Sequence, residues 1–484
     1  MPDFTPIEEQ VSIVSAARET SDNLAVIARA GAAKTSTLIL IAEALPETDI
    51  LCLAFNKAIA TEMQERLPPN CEAKTLHGLG YKAWWQFIRK PCKVDDGKIY
   101  NLLRAQIERL QDDDRKDAYE SMAETLDFIR QGKNAGYLPD NFKGHWKPLL
   151  SDEDFFEALP MEPSFLQIQL IKDVSAASFR LALDGQLDFA DMILCPALCA
   201  VPWPTPSLTL VDEAQDLSAL NHHMLKKIVK NRRLIAVGDP CQAIYGFRGA
   251  DTQSISNMQK KFDTQELKLT ISFRCAKEIT KNARWRAPDM RSPEWATQGE
   301  VRRPLEWSAD DLCDGDAIIC RNNAPLFRMA IRLIIAGRLP EIAGKDIGKS
   351  IMKLMKKLGR DNLERLAALD AVDEWEQKEL NRARDGAKAV IHDQAEIMRI
   401  MIEKTDDLGA AKAYLQHLLQ RDGRIYLMTG HKSKGLEFDN VWFLDQHLCQ
   451  IKHDQDANIK YVIETRAKES LTYVSSDSFS EGEE

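Results

Sequence analysis

Ten cysteines are scattered through the 484 residues without a single Cys-x-x-Cys pair, which removes the usual frames for structural zinc and dithiol redox chemistry. The nearest two, Cys195 and Cys199, read as structural, and reduced thiols in a cytosolic setting are the default. No apolar run approaches the roughly 20 residues of a membrane span. The opening MPDFTPIEEQ lacks both the basic start and the apolar stretch of a secretory leader. A cytoplasmic chain is therefore expected, with no membrane partner. A basic surplus is missing too: 64 Lys and Arg face 74 Asp and Glu, a net charge of −10. This argues against a general coat of nucleic acid but leaves room for a local track, since affinity follows charge at the contact surface. Two segments are locally basic, 226–233 and 345–360, and the first reads as a solvated helix face. No internal repeat is found. The hydrophobic fraction of 44% and the length suit a globular protein of two to four domains with ample core.

Leu208 to Asp216 reads LTLVDEAQD, an apolar run that ends abruptly in acids. A buried strand delivering adjacent carboxylates at its end suits Mg²⁺, which needs hard oxygen ligands, and suits activation of an attacking water. Asp212 would serve the metal and Glu213 the water. A strand ending in a solvated acidic turn is the bland alternative. Upstream, the apolar Leu24–Ile27 and the helical pattern Ser36–Leu45 flank Ala28-Arg29-Ala30-Gly31-Ala32-Ala33-Lys34-Thr35. This is the frame of a loop whose backbone N–H groups and following helix N-terminus cradle phosphates. Lys34 would reach the β- and γ-phosphates of ATP, and the Thr35 hydroxyl would join Asp212 on Mg²⁺. Ala30, Gly31, Ala32, Ala33 and Ser36 complete the cradle. Glycine is absent at both ends of the loop. Ala33, just before the lysine, is the larger departure, because glycine there permits unusual dihedrals.

Other segments carry a wider resemblance. They are Phe4-Thr5-Pro6 with Gln10, LAFNKAIATEM (53–63), KTLHGLGY (74–81), VDEAQD, VGDPCQAIYGFRGA (237–250), LTISFRC (269–275), TGHKSKGLEFDNV (429–441) and YVIETRAKESLTYV (461–474). In this order they resemble the Q motif and motifs Ia, Ib, II, III, IV, V and VI of superfamily 1A DNA helicases of the UvrD/Rep kind. Ile50–Trp84 is most similar to the F-box DNA helicase branch. The family more often has Asn-Tyr-Arg-Ser in motif IV, so Phe273 replaces a tyrosine.

The resemblance implies an α/β fold of two RecA-like parallel-sheet motor domains, each with a mainly helical insertion subdomain. The first motor domain would comprise 1–90 and 187–275, the second 276–343 and 425–474. Between them fall a helical insertion at 91–186 and a short one at 344–424, which correspond to subdomains 1B and 2B. Helical patterns are expected at Tyr100–Gln111, Asp117–Gly132 and across Lys349–Leu419. Strands are expected at Asp316–Arg321, Ile425–Thr429 and Val441–Asp445. The serine- and acid-rich 475–484 reads as a disordered tail.

By the same resemblance ATP would lie between the two lobes, with Gln10 reading the adenine edge and Phe273 offering an apolar face to the ring. Arg274 and Arg466 would act as arginine fingers, Gln242 would sense the γ-phosphate or attacking water, and Glu437 would lie near the ribose or triphosphate. Phe55, Tyr245 and Phe247 would stack on the bases of single-stranded DNA, with core packing the alternative for both phenylalanines. Thr75, His77, Arg248 and His431 would contact phosphates or bases. The implied activity is an ATP-dependent single-stranded DNA translocase and helicase, 3′→5′, acting on single strands and on duplexes with a single-stranded overhang. It would work in the nucleoid or another DNA-containing compartment, with protein partners left open. A nucleic-acid-binding ATP switch with slow turnover inside a larger complex is the second reading. A small-molecule nucleotide kinase would leave motifs III, V and VI without purpose.

Overall fold

The computed structural model describes residues 5–54, 56–244, 253–343, 345–383, 385–420, 422–451 and 454–480. The chain divides into two compact units, 1–28 with 33–269, and 29–32 with 270–484. Residues 270–275, assigned from sequence to the first motor domain, thus group with the second.

The first unit is built on a six-stranded sheet in the order Cys71–Thr75, Ile50–Ala54, Leu208–Val211, Arg233–Gly238, Asn23–Ala28, Thr264–Leu269, parallel throughout. Parallel neighbours need crossovers, and helices supply them, so the central strands are apolar on both faces. Leu208–Val211 and Ile50–Ala54 are buried along their whole length. Two strands separate Asn23–Ala28 from Ile50–Ala54, the next in sequence. Such a switch in strand order opens a crevice at the carboxyl ends of the strands, where ligands bind in open α/β sheets. The loops after Ala28, Val211 and Gly238 all leave from that edge.

The first insertion is helical, with Lys98–Ile107, Asp112–Glu120, Met122–Ala135, Asp152–Ala158 and Phe165–Leu183 around its own core of Leu103, Ile107, Phe128, Ile129, Phe155, Ile171 and Val174. The single helix expected over Asp117–Gly132 is two helices, because the backbone turns at Ser121 (φ −90°, ψ 2°).

The second unit repeats the plan, with six parallel strands in the order Pro340–Ile342, Ile425–Thr429, Ala317–Cys320, Phe438–Leu444, Ala467–Val474, Glu300–Arg302. Its insertion is four helices, Lys345–Leu358, Arg365–Arg382, Asp385–Glu403 and Leu408–Gln420. Their apolar faces join the core beneath the helix Ala324–Ile335, so Phe327, Leu333, Ile351, Met355, Met398 and Leu415 belong to one cluster. The tail expected to be disordered is ordered as far as Ser480. Phe479–Ser480 pairs with Trp307–Ser308, and Phe479 is buried edge-on against the Trp307 ring at 4.8 Å. Asp445 accepts from both the N–H and the hydroxyl of Ser476, each at 2.8 Å. One buried aromatic outweighs the polar composition around it. Residues 481–484 lie outside the described residues. Among the described residues no helix is long and apolar enough to cross a membrane.

Candidate active site

In the first unit four predicted groups converge at the strand ends. The Thr35 hydroxyl donates to Asp212 Oδ2 at 2.8 Å, and Lys34 Nζ stands 3.3 Å from Glu213 Oε1. Burial and the neighbouring Glu213 push the Asp212 carboxyl up to about 6, against the opposing pull of Lys34 and Thr35. Lys34 is raised: burial works against its charge, but Glu213, Asp239 and Asp212 together outweigh it. The ammonium therefore stays charged in a nest of three carboxylates.

Two residues not singled out from sequence organise this nest, although both stand inside quoted motifs. Gln215 is buried; its amide N–H donates to Glu213 Oε2 and its carbonyl accepts from the Asp239 N–H at 3.0 Å. Asp239, also buried, accepts from the Cys241 N–H at 3.0 Å and from Gln242 Nε2 at 2.8 Å. Gln215 thus ties Glu213 to the start of motif III, where Gln242 is held. A hydroxyl and a carboxylate at 2.8 Å are hard oxygen donors of the kind Mg²⁺ takes beside substrate phosphates, so the residues fit that ion.

The helix Lys34–Glu43 begins at Ala33, whose backbone is left-handed (φ 55°, ψ 44°). Alanine thus adopts the conformation for which glycine is usual. Glu213 is also left-handed, at φ 49°. Ser36 lies in the first turn, 3.5 Å from Arg66. Gln10 is fully buried; its carbonyl accepts from the Ile7 N–H at 3.2 Å and its amide donates to Thr37 Oγ1 at 3.0 Å. In this arrangement Gln10 braces the helix that follows the loop.

The second unit includes Arg29–Ala32. Arg29 pairs with Asp289 at 2.6 Å, the buried Ala30 donates its N–H to the Tyr461 hydroxyl at 3.1 Å, and the Gly31 carbonyl accepts from the Phe273 N–H at 2.9 Å. Ala32 is buried and closes a turn onto the Arg29 carbonyl. Gly31 has φ +72°, and a Cβ there would meet Arg274 Cβ at 2.6 Å and Ser272 Oγ at 2.7 Å. Glycine is required at that position by contact as well as by dihedral. Two predicted site residues are partnered with each other: Arg274 Nε donates to Glu437 Oε2 at 2.8 Å. Arg466 is buried and donates to the carbonyls of Val462 at 3.0 Å and Leu436 at 3.1 Å. Phe273 faces Trp295, a residue the sequence offered no signal for, with ring centroids 6.3 Å apart.

Of the predicted DNA contacts, Phe55, Tyr245, Phe247 and Arg248 lie outside the described residues. The Thr75 hydroxyl caps the helix Leu76–Ile88 by accepting from the Gly78 N–H at 3.1 Å. His77 stacks on Phe189 at 4.1 Å, and burial holds its imidazole down at about 4. At neutral pH it is uncharged, so it can offer a ring or a neutral hydrogen bond but not a phosphate counter-charge. Phe189 is 57% exposed and extends the aromatic surface. It stands in LDFADMI (187–193), and its exposure is visible only in the structure. His431 is half-buried in the turn after Ile425–Thr429.

The model of the UvrD/REP helicase N-terminal domain matches residues 8–263, and that of the UvrD-like helicase C-terminal domain matches 424–474. The chain is 25% identical over 508 residues to F-box DNA helicase protein 1 of Schizosaccharomyces pombe, covering 96% of this chain and 56% of that one. It is 25% identical over 525 residues to F-box DNA helicase 1 of Gallus gallus, covering 96% and 48%. With the ATP-dependent DNA helicase PcrA of Staphylococcus epidermidis it shares 26% over 299 residues, 55% and 38% of the two chains. The chain spans about half the length of the F-box relatives. With the first family model alone spanning more than half of the chain, over both the phosphate loop and the acidic strand end, the chain belongs to the UvrD/REP helicase family.

Proposed function

We propose that the chain is an ATP-dependent single-stranded DNA translocase and DNA helicase moving 3′→5′. The observation that carries this is the convergence of Lys34, Thr35, Asp212 and Glu213 at the carboxyl edge of one parallel sheet. The relatives' names supply DNA as the substrate, and the exposed Phe189 on His77 gives bases a surface for stacking.

Thr35 and Asp212 would hold Mg²⁺, which when bound neutralises charge between the β- and γ-phosphates. Lys34 now engages Glu213, and an arriving phosphate competes for the same ammonium. As Lys34 turns to the phosphate, Glu213 keeps its bond from Gln215 and is left oriented to accept a proton from the attacking water. The chain Glu213–Gln215–Asp239–Gln242 then carries the state of the site into motif III. By the family resemblance, Arg274 and Arg466 would serve as arginine fingers that add positive charge at the γ-phosphoryl oxygens.

The test is ATP hydrolysis with and without single-stranded DNA, together with unwinding of duplexes bearing a 3′ or a 5′ tail. Strong stimulation and unwinding from the 3′ tail are expected. ATP binding without turnover would select the switch instead, and unwinding only from the 5′ tail would reverse the polarity.

A further inference from the structure

We propose that Trp295 is the second wall of a nucleobase slot whose first wall is Phe273, so that the adenine of ATP or ADP is gripped on both faces. The proposal rests on the reading of the neighbouring loop as a phosphate site. It adds the residue that makes the base, as well as the phosphates, a determinant of binding.

The spacing of the rings comes first. Phe273 and Trp295 are inclined by 26° with centroids 6.3 Å apart. Other near-parallel pairs in this protein close further: Tyr137–Phe155 to 4.2 Å, Phe142–Trp146 to 4.7 Å, Trp307–Trp442 to 5.5 Å and Phe443–Tyr473 to 5.6 Å. A planar base between two rings needs two van der Waals layers of about 3.5 Å, about 7 Å in all. The pair lies within an ångström of that.

The second observation is exposure without freedom. Trp295 is 71% exposed, a large apolar area left to water by a loop that is firmly tied. The N–H groups of Lys277 and Glu278 donate to the carbonyls of Thr297 and Gln298, both at 3.0 Å. Lys277 Nζ donates to the Glu294 carbonyl at 2.8 Å, and Thr297 Oγ1 donates to Glu469 at 2.9 Å. The indole is thus presented on a backbone braced on both sides of it, and preorganisation lowers the cost of binding a ligand. The third observation is place: the Phe273 N–H donates to the Gly31 carbonyl, three residues before Lys34 along the chain. Gly31 and both rings belong to the same unit, so the slot stands beside the start of the loop.

The test is equilibrium binding of ADP, adenosine and inorganic tripolyphosphate to the wild type, Trp295→Ala, Trp295→Phe and Lys34→Ala. Trp295→Ala is expected to weaken ADP and adenosine by about 5- to 150-fold, the range a single aromatic stack on a base supplies. Trp295→Phe should recover most of that loss, and tripolyphosphate should bind both variants as it binds the wild type. Unchanged ADP affinity in Trp295→Ala overturns the proposal. So does an equal loss for ADP and tripolyphosphate, which would mark Trp295 as a structural support. A wild type that binds adenosine in a Trp295-dependent way but ignores tripolyphosphate, with Lys34→Ala unchanged, removes the phosphate-loop reading and leaves the slot standing.

Discussion

Six non-glycine residues among those described have a positive φ, and two of them stand where the chemistry is expected. Ala33 and Glu213 are left-handed, which costs a non-glycine residue about 1–2 kcal/mol. Strain of this kind persists only where the surroundings over-determine it. At Glu213 the surroundings are Lys34 and Gln215, which hold the carboxylate from two sides. At Ala33 they are the loop and the helix it starts, with the Thr37 N–H donating to the Ala33 carbonyl at 3.0 Å. Ala33→Gly should therefore stabilise the first unit by up to about 1 kcal/mol, once the greater chain entropy of glycine is set against the relieved strain. Denaturant unfolding measures this, and a loss of stability would show that alanine is at ease there. Turnover should change little, because the loop already holds the geometry that glycine would supply. Glu213→Gln keeps the shape but cannot accept a proton; hydrolysis should fall by about 10²- to 10⁴-fold while ATP binding remains. Wild-type turnover in that variant would remove Glu213 from the role of base.

At the scale of elements, the two insertions are fastened in different ways, and neither fastening could be read from spacing. The first is joined to LDFADMI through a buried charge network. Lys98 Nζ donates to Asp191 Oδ2 and the Ser178 carbonyl, both at 2.7 Å. Lys133 Nζ pairs with Asp188 and, at 2.6 Å, with Asp191. All four charged groups are buried. Lys133 lies on the amphipathic helix Met122–Ala135, where sequence alone would turn a lysine outward. Lys133→Met leaves two aspartates short of a counter-charge and should cost about 3–5 kcal/mol. Adding Asp188→Asn should recover part of that loss in unfolding measurements; simple additivity would mean the pair is not coupled. The second insertion is held by Asp393, which accepts from Asn323 N–H at 3.2 Å and Ala324 N–H at 2.9 Å at the start of the helix Ala324–Ile335. With the shared apolar cluster this makes the insertion part of the second unit's core. Periodicity marked both blocks as helical, since each buries an apolar stripe, but not where one helix ends and the next begins, as at Ser121. The pairing of charges across more than 50 residues leaves no periodic trace.

For the whole molecule, the parallel sheets and the order of the motifs were legible because strand ends that carry chemistry must combine apolar runs with fixed acids and glycines. The ordered tail was not legible, because Phe479 acts through a partner, Trp307, far away in sequence. The same holds for Glu464, which stands inside motif VI and gives the second unit a dependence on pH. Its carboxylate is fully buried and accepts from Tyr473 Oη at 2.6 Å and from Trp285 Nε1 at 2.8 Å. Burial pushes it up to about 7, more than these donors and Lys460 pull it down. The folded group therefore holds its proton over a range where the unfolded group has lost it. Its contribution to stability is complete below the unfolded value, near 4.5, and is lost as pH rises through about 7. The loss amounts to about 3 kcal/mol at about 1.4 kcal/mol per pH unit. Glu464→Gln keeps the size and removes the titration. Unfolding free energies of the two proteins at pH 5 and pH 8 should then diverge, the glutamine variant gaining on the wild type by about 2–3 kcal/mol at the higher pH. A difference that is the same at both values would mean that Glu464 is ionised throughout, with Tyr473, Trp285 and Lys460 compensating its burial in full.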